Sequence, residues 1–399
     1  MVMMMLKGNE ATAYAAKVAK VQVIPAYPIT PSTLFPEKVS ELISNGEMKA
    51  EFIPVESEHS ALSAAIGAAA TGARTMTATA SQGLALMHEV LFIASGMRLP
   101  IVMAIGNRAL SAPVNIWAEQ QDTIAQRDSG WLQFYAENNQ EALDLSLIAF
   151  RVAEDKRVLL PAMMGMDAFV LTHTMEPVDV PDESLVEKYL GPPEQKYPTL
   201  NPSQPSTFGA FVFPEHYMEF RYSQFVAMEH SKKVIDEAFE EFKNIFGREY
   251  RKVSGFMNED ADILLISMGS MTGTAREAIR KLREKGEKVG LIKLSVFRPF
   301  PKEELVEITK NARIVAVVDR NISIGFAGAI FTELVASYNN IEKKPKILNF
   351  ILGLGGRDIR VEDYIEIYNR AKEAENRDVK EIQWINVDED AVYEVEGPL

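Results

Sequence analysis

Two blocks of alternating strand-like and helix-like segments constrain the fold of this chain more than any other feature. In the first block, from Gly8 to about Asp167, apolar runs such as VQVIPAY, RTMTATA and PIVMAIG alternate with amphipathic or alanine-rich runs. A smaller block of the same kind starts near Asp262 with DILLISMG and TGTAREAIRKLREKG. Such alternation predicts parallel sheets with helices on both faces. We therefore expect two α/β domains.

The stretch between the blocks, from about Thr174 to Tyr250, has a different composition. It is rich in proline and aromatic residues, as in YLGPPEQKYPTLNPSQPSTFGAFVFPEHY. We interpret it as an irregular connector or arm, followed by a helix from about Met228 to Phe246. A chain of 399 residues is longer than one core usually serves. The predicted domain boundaries are 1–175, 176–255 and 256–399.

Composition excludes several classes of function. The formal net charge of -14 disfavours binding to nucleic acid or to an anionic membrane. The absence of cysteine excludes disulfides and any cysteine-ligated iron–sulfur cluster or zinc site in this chain. The five histidines show no paired metal spacing, so we expect no metal ligands here. No span approaches 18 apolar residues, and the apolar start is too short for a signal peptide, which predicts a cytoplasmic protein.

The stretch AYPITPST follows the predicted strand VQVIPA and precedes the predicted helix LFPEKVSELIS. One interpretation is helix-start chemistry, with Thr30 as the N-cap, Pro31 at the first helical position and Gly46 as the C-terminal stop. Asn9 is a similar candidate cap for the first helix. The other interpretation uses position, because ligands bind outside the carboxyl ends of parallel strands. Thr30 is expected there, on a loop that two prolines stiffen.

Two further motifs follow predicted strands. In PVESEHSA, Glu56 and Glu58 are expected in the first turn of an alanine-rich helix, where a carboxylate favours the helix dipole. A partly desolvated carboxylate at that place also suits proton exchange with a bound base. In GNRALSAPVNIWAEQQD, Asn107 and Arg108 directly follow PIVMAIG. Arg108 is either a surface arginine or a group that holds a ligand carboxylate by paired hydrogen bonds.

Two glycine-containing stretches are less specific. GLGGRD, residues 353–358, resembles a phosphate loop but lacks the dinucleotide-binding spacing, so a tight turn is the alternative. GSMTGTA follows a predicted strand, where a helix N-terminus can bind an anion.

Together these motifs resemble a known family. AYPITPST, ESEHSA, TASQGLALM and GNRALSAPVNIWAEQQD are similar to the alpha subunit of 2-oxoacid:ferredoxin oxidoreductases, in particular the archaeal type that acts on pyruvate. MGSMTGTAREA, SVFRPFP and GLGGRD fit that subunit's transketolase C-terminal-like domain. The resemblance spans nearly the whole chain. It implies a doubly wound, pyrimidine-type thiamine diphosphate-binding domain followed by the second α/β domain.

The resemblance also implies an activity and partners. These enzymes oxidise a 2-oxoacid with coenzyme A to acyl-CoA and carbon dioxide, and ferredoxin receives the electrons. A beta subunit binds the diphosphate and Mg²⁺ of the thiamine diphosphate and carries an iron–sulfur cluster, and gamma and delta subunits complete the complex. The absence of cysteine here agrees with that division of labour.

Residue by residue, the resemblance implies that Glu58 hydrogen-bonds N1′ of the aminopyrimidine and takes part in the proton exchange that activates the cofactor. Thr30 and Arg108 match the residues that bind the carboxylate and carbonyl of the 2-oxoacid, and Asn107 is placed with them. The remaining expected cofactor contacts are Pro28, Ile29, Ser81 and Gln82.

Three alternatives stay open from the sequence. The substrate is either pyruvate or a branched-chain acid such as 2-oxoisovalerate. The chain is either catalytic or a scaffold subunit, although a scaffold has no need of Thr30, Glu58 and Arg108. A nucleotide-binding dehydrogenase rests on GLGGRD alone.

Overall fold

The computed structural model describes residues 2–192, 199–207 and 209–397. Its strands are β1 (Val2–Lys7), β2 (Val23–Ala26), β3 (Glu51–Pro54), β4 (Thr75–Thr79), β5 (Ile101–Asn107), β6 (Leu132–Tyr135), β7 (Ala162–Asp167), β8 (Met175–Val180), β9 (Val253–Phe256), β10 (Ile263–Met268), β11 (Val289–Leu294), β12 (Val296–Arg298), β13 (Ile314–Asp319), β14 (Lys346–Ile351) and β15 (Ile382–Trp384). Its α-helices are α1 (Gly8–Val18), α2 (Leu34–Ser44), α3 (Glu58–Ala70), α4 (Ser81–Leu86), α5 (His88–Gly96), α6 (Gln121–Ile124), α7 (Asn139–Ala153), α8 (Glu183–Leu190), α9 (Pro214–Phe246), α10 (Met271–Glu284), α11 (Lys302–Thr309), α12 (Ala329–Ser337), α13 (Val361–Glu373) and α14 (Glu389–Glu396).

The chain divides into two compact units. The first comprises Met1–Ser254 and Leu294–Pro301, and the second comprises Gly255–Lys293 and Lys302–Leu399. The segment predicted as a separate connector lies almost entirely in the first unit. The three-part division of the chain stays a prediction.

The first unit contains a seven-stranded sheet with strand order β12-β6-β7-β5-β4-β2-β3. Its neighbouring strands are parallel except for β12, which runs antiparallel to β6. Alternate side chains of β5 show how both faces are used. Val102 and Ala104 pack into the core formed with α1 and α7, whereas Ile101, Met103 and Ile105 pack with α3 and α5. This arrangement confirms the predicted doubly wound parallel sheet.

The second unit contains a six-stranded sheet with strand order β15-β14-β13-β10-β11-β9. Its strands β10, β13, β14 and β15 are parallel neighbours. One face is covered by α10 and α13, whose apolar stripes are buried. GLGGRD forms a tight turn, in which Gly353, Gly355 and Gly356 all have positive φ. The turn interpretation of this stretch is therefore the one that the structure supports.

Several element predictions are wrong. The predicted helix from Met228 begins 14 residues earlier, at Pro214, where a proline without an N–H is well tolerated. The run GLALMHEVLFIASGM forms two helices, α4 and α5, instead of one. KVGLIKLSVF forms β11 and β12, which belong to different sheets. Residues 193–198 and 208 of the predicted connector lie outside the described residues.

Strands β1, β8, β9 and β15 of the described structure were not predicted. The apolar start forms β1, which pairs antiparallel with β8 in a separate two-stranded sheet. Asn9 is not the cap of α1, because that helix begins at Gly8 and Lys7 is its N-cap residue. The Asn9 side chain is buried, and its Nδ2 donates to the Pro31 carbonyl at 2.7 Å. Among the described helices, none is long and apolar enough to cross a membrane.

Candidate active site

The predicted site residues follow the carboxyl ends of four neighbouring strands. β3, β2, β4 and β5 are parallel and adjacent, so their carboxyl ends lie along one edge of the sheet. Thr30 follows β2, Glu58 follows β3, Ser81 follows β4 and Arg108 follows β5. The structure therefore brings the predicted residues to the same edge, where open parallel sheets bind ligands.

The loop after β2 is held by Ser32. Its Oγ donates to the Thr79 carbonyl at 2.8 Å, and its backbone N–H donates to the Ile29 carbonyl at 2.7 Å. Pro28 and Thr30 are exposed on this loop, whereas Ile29 is half-buried. The predicted cap is wrong, since α2 begins at Leu34 and Thr30 lies in the turn before it.

Pro31 lies in the same turn and is not the first residue of the helix. Gly46 does follow the end of α2, with a φ of 73°, as expected of a C-terminal stop.

Glu58 is the first residue of α3, and its side chain is buried. Ser57 is the N-cap, since its side chain accepts a hydrogen bond from the Ser60 N–H. Glu56 was expected in the first turn, but it precedes the helix and accepts from the Ser60 hydroxyl. Capping therefore does not require Glu58. Within the described chain, no hydrogen bond or ion pair holds its carboxylate, although the residue is only 8% exposed.

Gly83 and Thr79 lie against the Glu58 side chain. A Cβ on Gly83 would stand 2.7 Å from Glu58 Oε1 and 2.5 Å from Thr79 Oγ1, so a larger residue would displace one of them. The Thr79 hydroxyl is buried and has no hydrogen-bond partner among the described residues. A buried carboxylate and a buried hydroxyl, both without protein partners, therefore lie at the strand ends. Such groups fit the ring nitrogen and amino group of an aminopyrimidine.

Ser81 and Gln82 begin α4 beside these residues. Ser81 is fully buried and has a φ of 49°, which is uncommon for a residue with a side chain. Its hydroxyl donates to the Ala109 carbonyl and its backbone N–H donates to Asp122 at 2.9 Å. Gln82 is half-buried. The contacts of Pro28, Ile29, Ser81 and Gln82 with a cofactor stay predictions.

Arg108 is held in place by backbone carbonyls. Its Nη1 donates to the Thr30 carbonyl at 2.8 Å and its Nε donates to the Asn115 carbonyl at 3.0 Å. These bonds use two of the five guanidinium N–H groups. No carboxylate of the described residues forms an ion pair with Arg108, and burial lowers the pKa of its guanidinium while the charge of Asp122 opposes that change. The two predicted substrate-binding residues thus touch each other, and Nη2 remains available to a ligand.

Asn107 lies in the interior behind Arg108. It is fully buried, and its Nδ2 donates to Asp122 and to the Thr123 hydroxyl, both at 2.8 Å. A contact between Asn107 and substrate stays a prediction, and the structure gives this residue a supporting contact instead.

Asp122 is the polar residue that sequence reasoning missed. It is completely buried, which raises the pKa of its carboxyl to about 6 although four donors stabilise the charge. The sequence signal was an acidic residue at the end of GNRALSAPVNIWAEQQD. Because this residue is far from Arg108 along the chain, the hydrogen bond between the two was not predicted. The described residues include no cluster of acidic or histidine side chains that could hold a metal ion.

Comparison with known proteins places these features in a family. Residues 14–240 match the family described as pyruvate flavodoxin/ferredoxin oxidoreductase, thiamine diphosphate-binding. Residues 261–364 match pyruvate:ferredoxin oxidoreductase core domain II. The chain is 59% identical to pyruvate synthase subunit PorA of Pyrococcus furiosus, over 96% of this chain and 97% of that protein.

A second group of relatives has another name. Ketoisovalerate oxidoreductase subunit VorA of Pyrococcus horikoshii is 48% identical, over 96% of this chain and 97% of that protein. The relative named for pyruvate is thus more similar to this chain than the relative named for ketoisovalerate, at 59% against 48% identity.

Solved structures share the fold. A 2-oxoglutarate:ferredoxin oxidoreductase from Magnetococcus marinus superimposes with a TM-score of 0.71 and 20% identity, covering 93% of this chain and 65% of that chain. A split-gene transketolase gives a TM-score of 0.53 at 12% identity, covering 91% of this chain and 97% of that one. The fold class and the resemblance predicted from the sequence are confirmed, and the chain belongs to the pyruvate flavodoxin/ferredoxin oxidoreductase family.

Proposed function

We propose that this chain is the alpha subunit of an enzyme complex that oxidises pyruvate with coenzyme A to acetyl-CoA and carbon dioxide, with ferredoxin as electron acceptor. The observation that carries the proposal is the 2.8 Å contact between Arg108 Nη1 and the Thr30 carbonyl, at the same sheet edge as the unpartnered Glu58 carboxylate. A cation for a substrate carboxylate and a buried acid for proton exchange are thus both present.

The cofactor proposed for this site is thiamine diphosphate, of which this chain would hold the aminopyrimidine end. Glu58 and Thr79 are the groups that would hydrogen-bond that ring, because both lack partners within the described residues. The bound cofactor supplies the electron sink for loss of carbon dioxide. Gly83 leaves the space that Glu58 needs, since a Cβ there would meet its carboxylate.

The role proposed for Glu58 is to hold and exchange a proton at its Oε atoms. Its position at the start of α3 fixes its backbone, and burial keeps water from competing for its carboxylate.

Arg108 and Thr30 are proposed to bind the 2-oxoacid. Two backbone carbonyls fix the guanidinium plane, which leaves Nη2 and the second Nη1 N–H to face a carboxylate. Thr30 is exposed on a loop that Ser32 anchors, and its hydroxyl has no hydrogen-bond partner within the described chain. It can therefore donate to the substrate's carbonyl oxygen.

The remaining functions are assigned to other subunits. A beta subunit would bind the diphosphate and Mg²⁺ and carry an iron–sulfur cluster, and gamma and delta subunits would connect it to ferredoxin. The chain itself contains no cysteine. A cytoplasmic location also remains part of this proposal.

An exposed aromatic segment, residues 211–225, supports the need for partner chains. Six aromatic side chains, in the first turns of α9 and in the residues just before it, are each more than half exposed: Phe211, Phe213, Tyr217, Phe220, Tyr222 and Phe225. A contiguous group of exposed large apolar side chains normally marks a contact with another protein. We assign this surface to contact with another subunit of the same enzyme.

The second candidate function is oxidation of 2-oxoisovalerate, favoured by the 48% identity to the ketoisovalerate relative. The purified complex should be assayed with pyruvate, 2-oxoisovalerate and 2-oxoglutarate, with coenzyme A and ferredoxin present. We expect the highest kcat/KM with pyruvate. A higher value with 2-oxoisovalerate would assign the chain to the second function, and no activity with any of the three would overturn both.

A further inference from the structure

Asp122 accepts four hydrogen bonds at the centre of the candidate site. Its Oδ2 accepts the backbone N–H of Ser81 at 2.9 Å and of Arg108 at 3.0 Å. Its Oδ1 accepts the Asn107 side chain and the Thr123 backbone N–H, both at 2.8 Å. An ionised carboxylate has about four lone-pair sites, so its capacity is fully used.

The four donors come from three separate segments of the chain. Ser81 follows β4, Asn107 and Arg108 lie where β5 ends, and Thr123 belongs to α6. One carboxylate therefore ties the segment that carries Arg108 to the start of α4, whose Gly83 lies against Glu58. Asp122 itself is fully buried and cannot reach a ligand in the site.

We propose that Asp122 is a positioning residue, which fixes the main chain of Arg108 and Ser81 so that the guanidinium faces the 2-oxoacid carboxylate. This inference rests on the proposed function. The argument is geometric: Arg108 is bound at its backbone N–H by Asp122 and at its guanidinium by the carbonyls of Thr30 and Asn115. If the first of these anchors is lost, the main chain at Arg108 can shift, and the guanidinium must then move with it or give up a carbonyl contact.

Asp122→Asn is the informative change because it preserves size. The amide keeps one acceptor oxygen, and its NH₂ group must then face two N–H donors instead of accepting from them. We expect kcat/KM for pyruvate to fall roughly ten- to hundredfold, mainly through KM, in a complex that still assembles.

Asp144→Asn is the matched control. Asp144 is also a buried aspartate of the same unit, but it accepts from Arg248 and Tyr250, which belong to neither the strand-end loops nor α6. We expect Asp144→Asn to lower thermal stability while KM for pyruvate stays within twofold of the wild-type value.

A double-mutant cycle with Arg108→Lys separates positioning from general structural damage. If Asp122 acts through Arg108, then Asp122→Asn added to Arg108→Lys should raise KM far less than it does in the wild-type background. Asp144→Asn should have the same small effect in both backgrounds. If the increase in KM in the double variant equals the product of the increases in the two single variants, the two residues act independently and the inference is wrong.

Two outcomes distinguish this inference from the proposed function. If the wild-type complex shows no activity with any of the 2-oxoacids, the proposed function fails. If it is active but the effects multiply, only the role of Asp122 fails. Should Asp122→Asn not fold, Asp122→Glu keeps the charge and displaces it by one methylene, and the same cycle applies with the same two outcomes.

Discussion

The Glu58 side chain combines burial with the absence of a protein partner, so its carboxylate is the group most sensitive to a conservative change. We expect Glu58→Gln to leave the complex assembled but to lower kcat by about 10²- to 10⁴-fold, because an amide still hydrogen-bonds but does not exchange the proton. The measurement is steady-state turnover with pyruvate, beside thiamine diphosphate content in the same preparation. Glu56→Gln is the control, since Glu56 precedes the helix and contacts Ser60.

Activity of Glu58→Gln within a few-fold of the wild type, with full cofactor content, would contradict the role proposed for Glu58. A similar loss in both Glu58→Gln and Glu56→Gln would point instead to damage at the start of α3.

The Arg108 guanidinium leads to a second prediction. Arg108→Lys keeps the charge but loses the planar fork that contacts the carbonyls of Thr30 and Asn115, so paired contacts with the substrate carboxylate become a single point contact. Losing one hydrogen bond to a charged group costs about 1.5–3 kcal/mol. We therefore expect kcat/KM for pyruvate to fall roughly 10- to 150-fold, with cofactor content unchanged.

Arg157→Lys is a suitable control for Arg108→Lys. Arg157 pairs with Asp155 and Glu237 in the same unit, and all three lie outside the strand-end loops. If Arg108→Lys loses the cofactor while the residual holoenzyme keeps a normal kcat/KM, Arg108 is structural and another residue binds the substrate carboxylate.

The sequence predicted where the candidate site residues lie better than it predicted the contacts that support them. Because parallel strands end at a common edge, Thr30, Glu58 and Arg108 were placed together from their positions alone. The contact of Asp122 was not predictable, since it depends on how the chain after β5 folds back. Thr30 was wrongly predicted as a cap, because a hydroxyl before a helical pattern is a local signal, whereas the Ser32–Thr79 hydrogen bond that sets this loop is tertiary.

At the scale of elements, one glycine directly after α9 and one within α3 should have opposite effects when each is replaced by alanine. Gly247 follows the last residue of α9 with a φ of 76°, so Gly247→Ala forces a side chain into the left-handed region at a cost of roughly 1–2 kcal/mol. Gly67 lies within α3 with open space at its Cβ, so Gly67→Ala should stabilise by roughly 0.5–1 kcal/mol.

Thermal unfolding of the two variants tests this pair. At a unit of this size, about 1 kcal/mol shifts the Tm by roughly 2–4 °C. We expect a lower Tm for Gly247→Ala and a higher one for Gly67→Ala. Shifts of the same sign would mean that the end of α9 or the surroundings of Gly67 differ from the structure.

Periodic elements were predictable because their pattern is local. The strands β4 and β5 and the helix α7 have continuous apolar or amphipathic runs, and the structure contains them close to the expected bounds. The pair β1–β8 was not predictable, because its two strands are far apart in sequence. The first half of α9 was missed because exposed aromatic residues give no one-sided pattern for a helix.

For the molecule as a whole, the types of residue that the chain contains limit which parts of the cofactor it can bind without other subunits. No magnesium–diphosphate motif of the GDG…N kind occurs in the sequence, and the described residues hold no cluster of metal ligands. Glu58 and Thr79 are the groups proposed to bind the cofactor, and they are proposed to contact its aminopyrimidine ring and not its diphosphate. A diphosphate carries two or more negative charges, and a net charge of -14 gives this chain no general attraction for such an anion.

We therefore expect the isolated chain to bind thiamine diphosphate weakly or not at all, and to be inactive with every 2-oxoacid. Isothermal titration calorimetry with and without Mg²⁺ measures this directly. The reconstituted complex is the positive control, and its binding should depend on Mg²⁺. The Glu58→Gln complex should keep that Mg²⁺-dependent binding, because the diphosphate contacts lie in another subunit. Tight, Mg²⁺-dependent binding by the isolated chain would instead place the diphosphate site here, and the division of the cofactor between two subunits would be wrong.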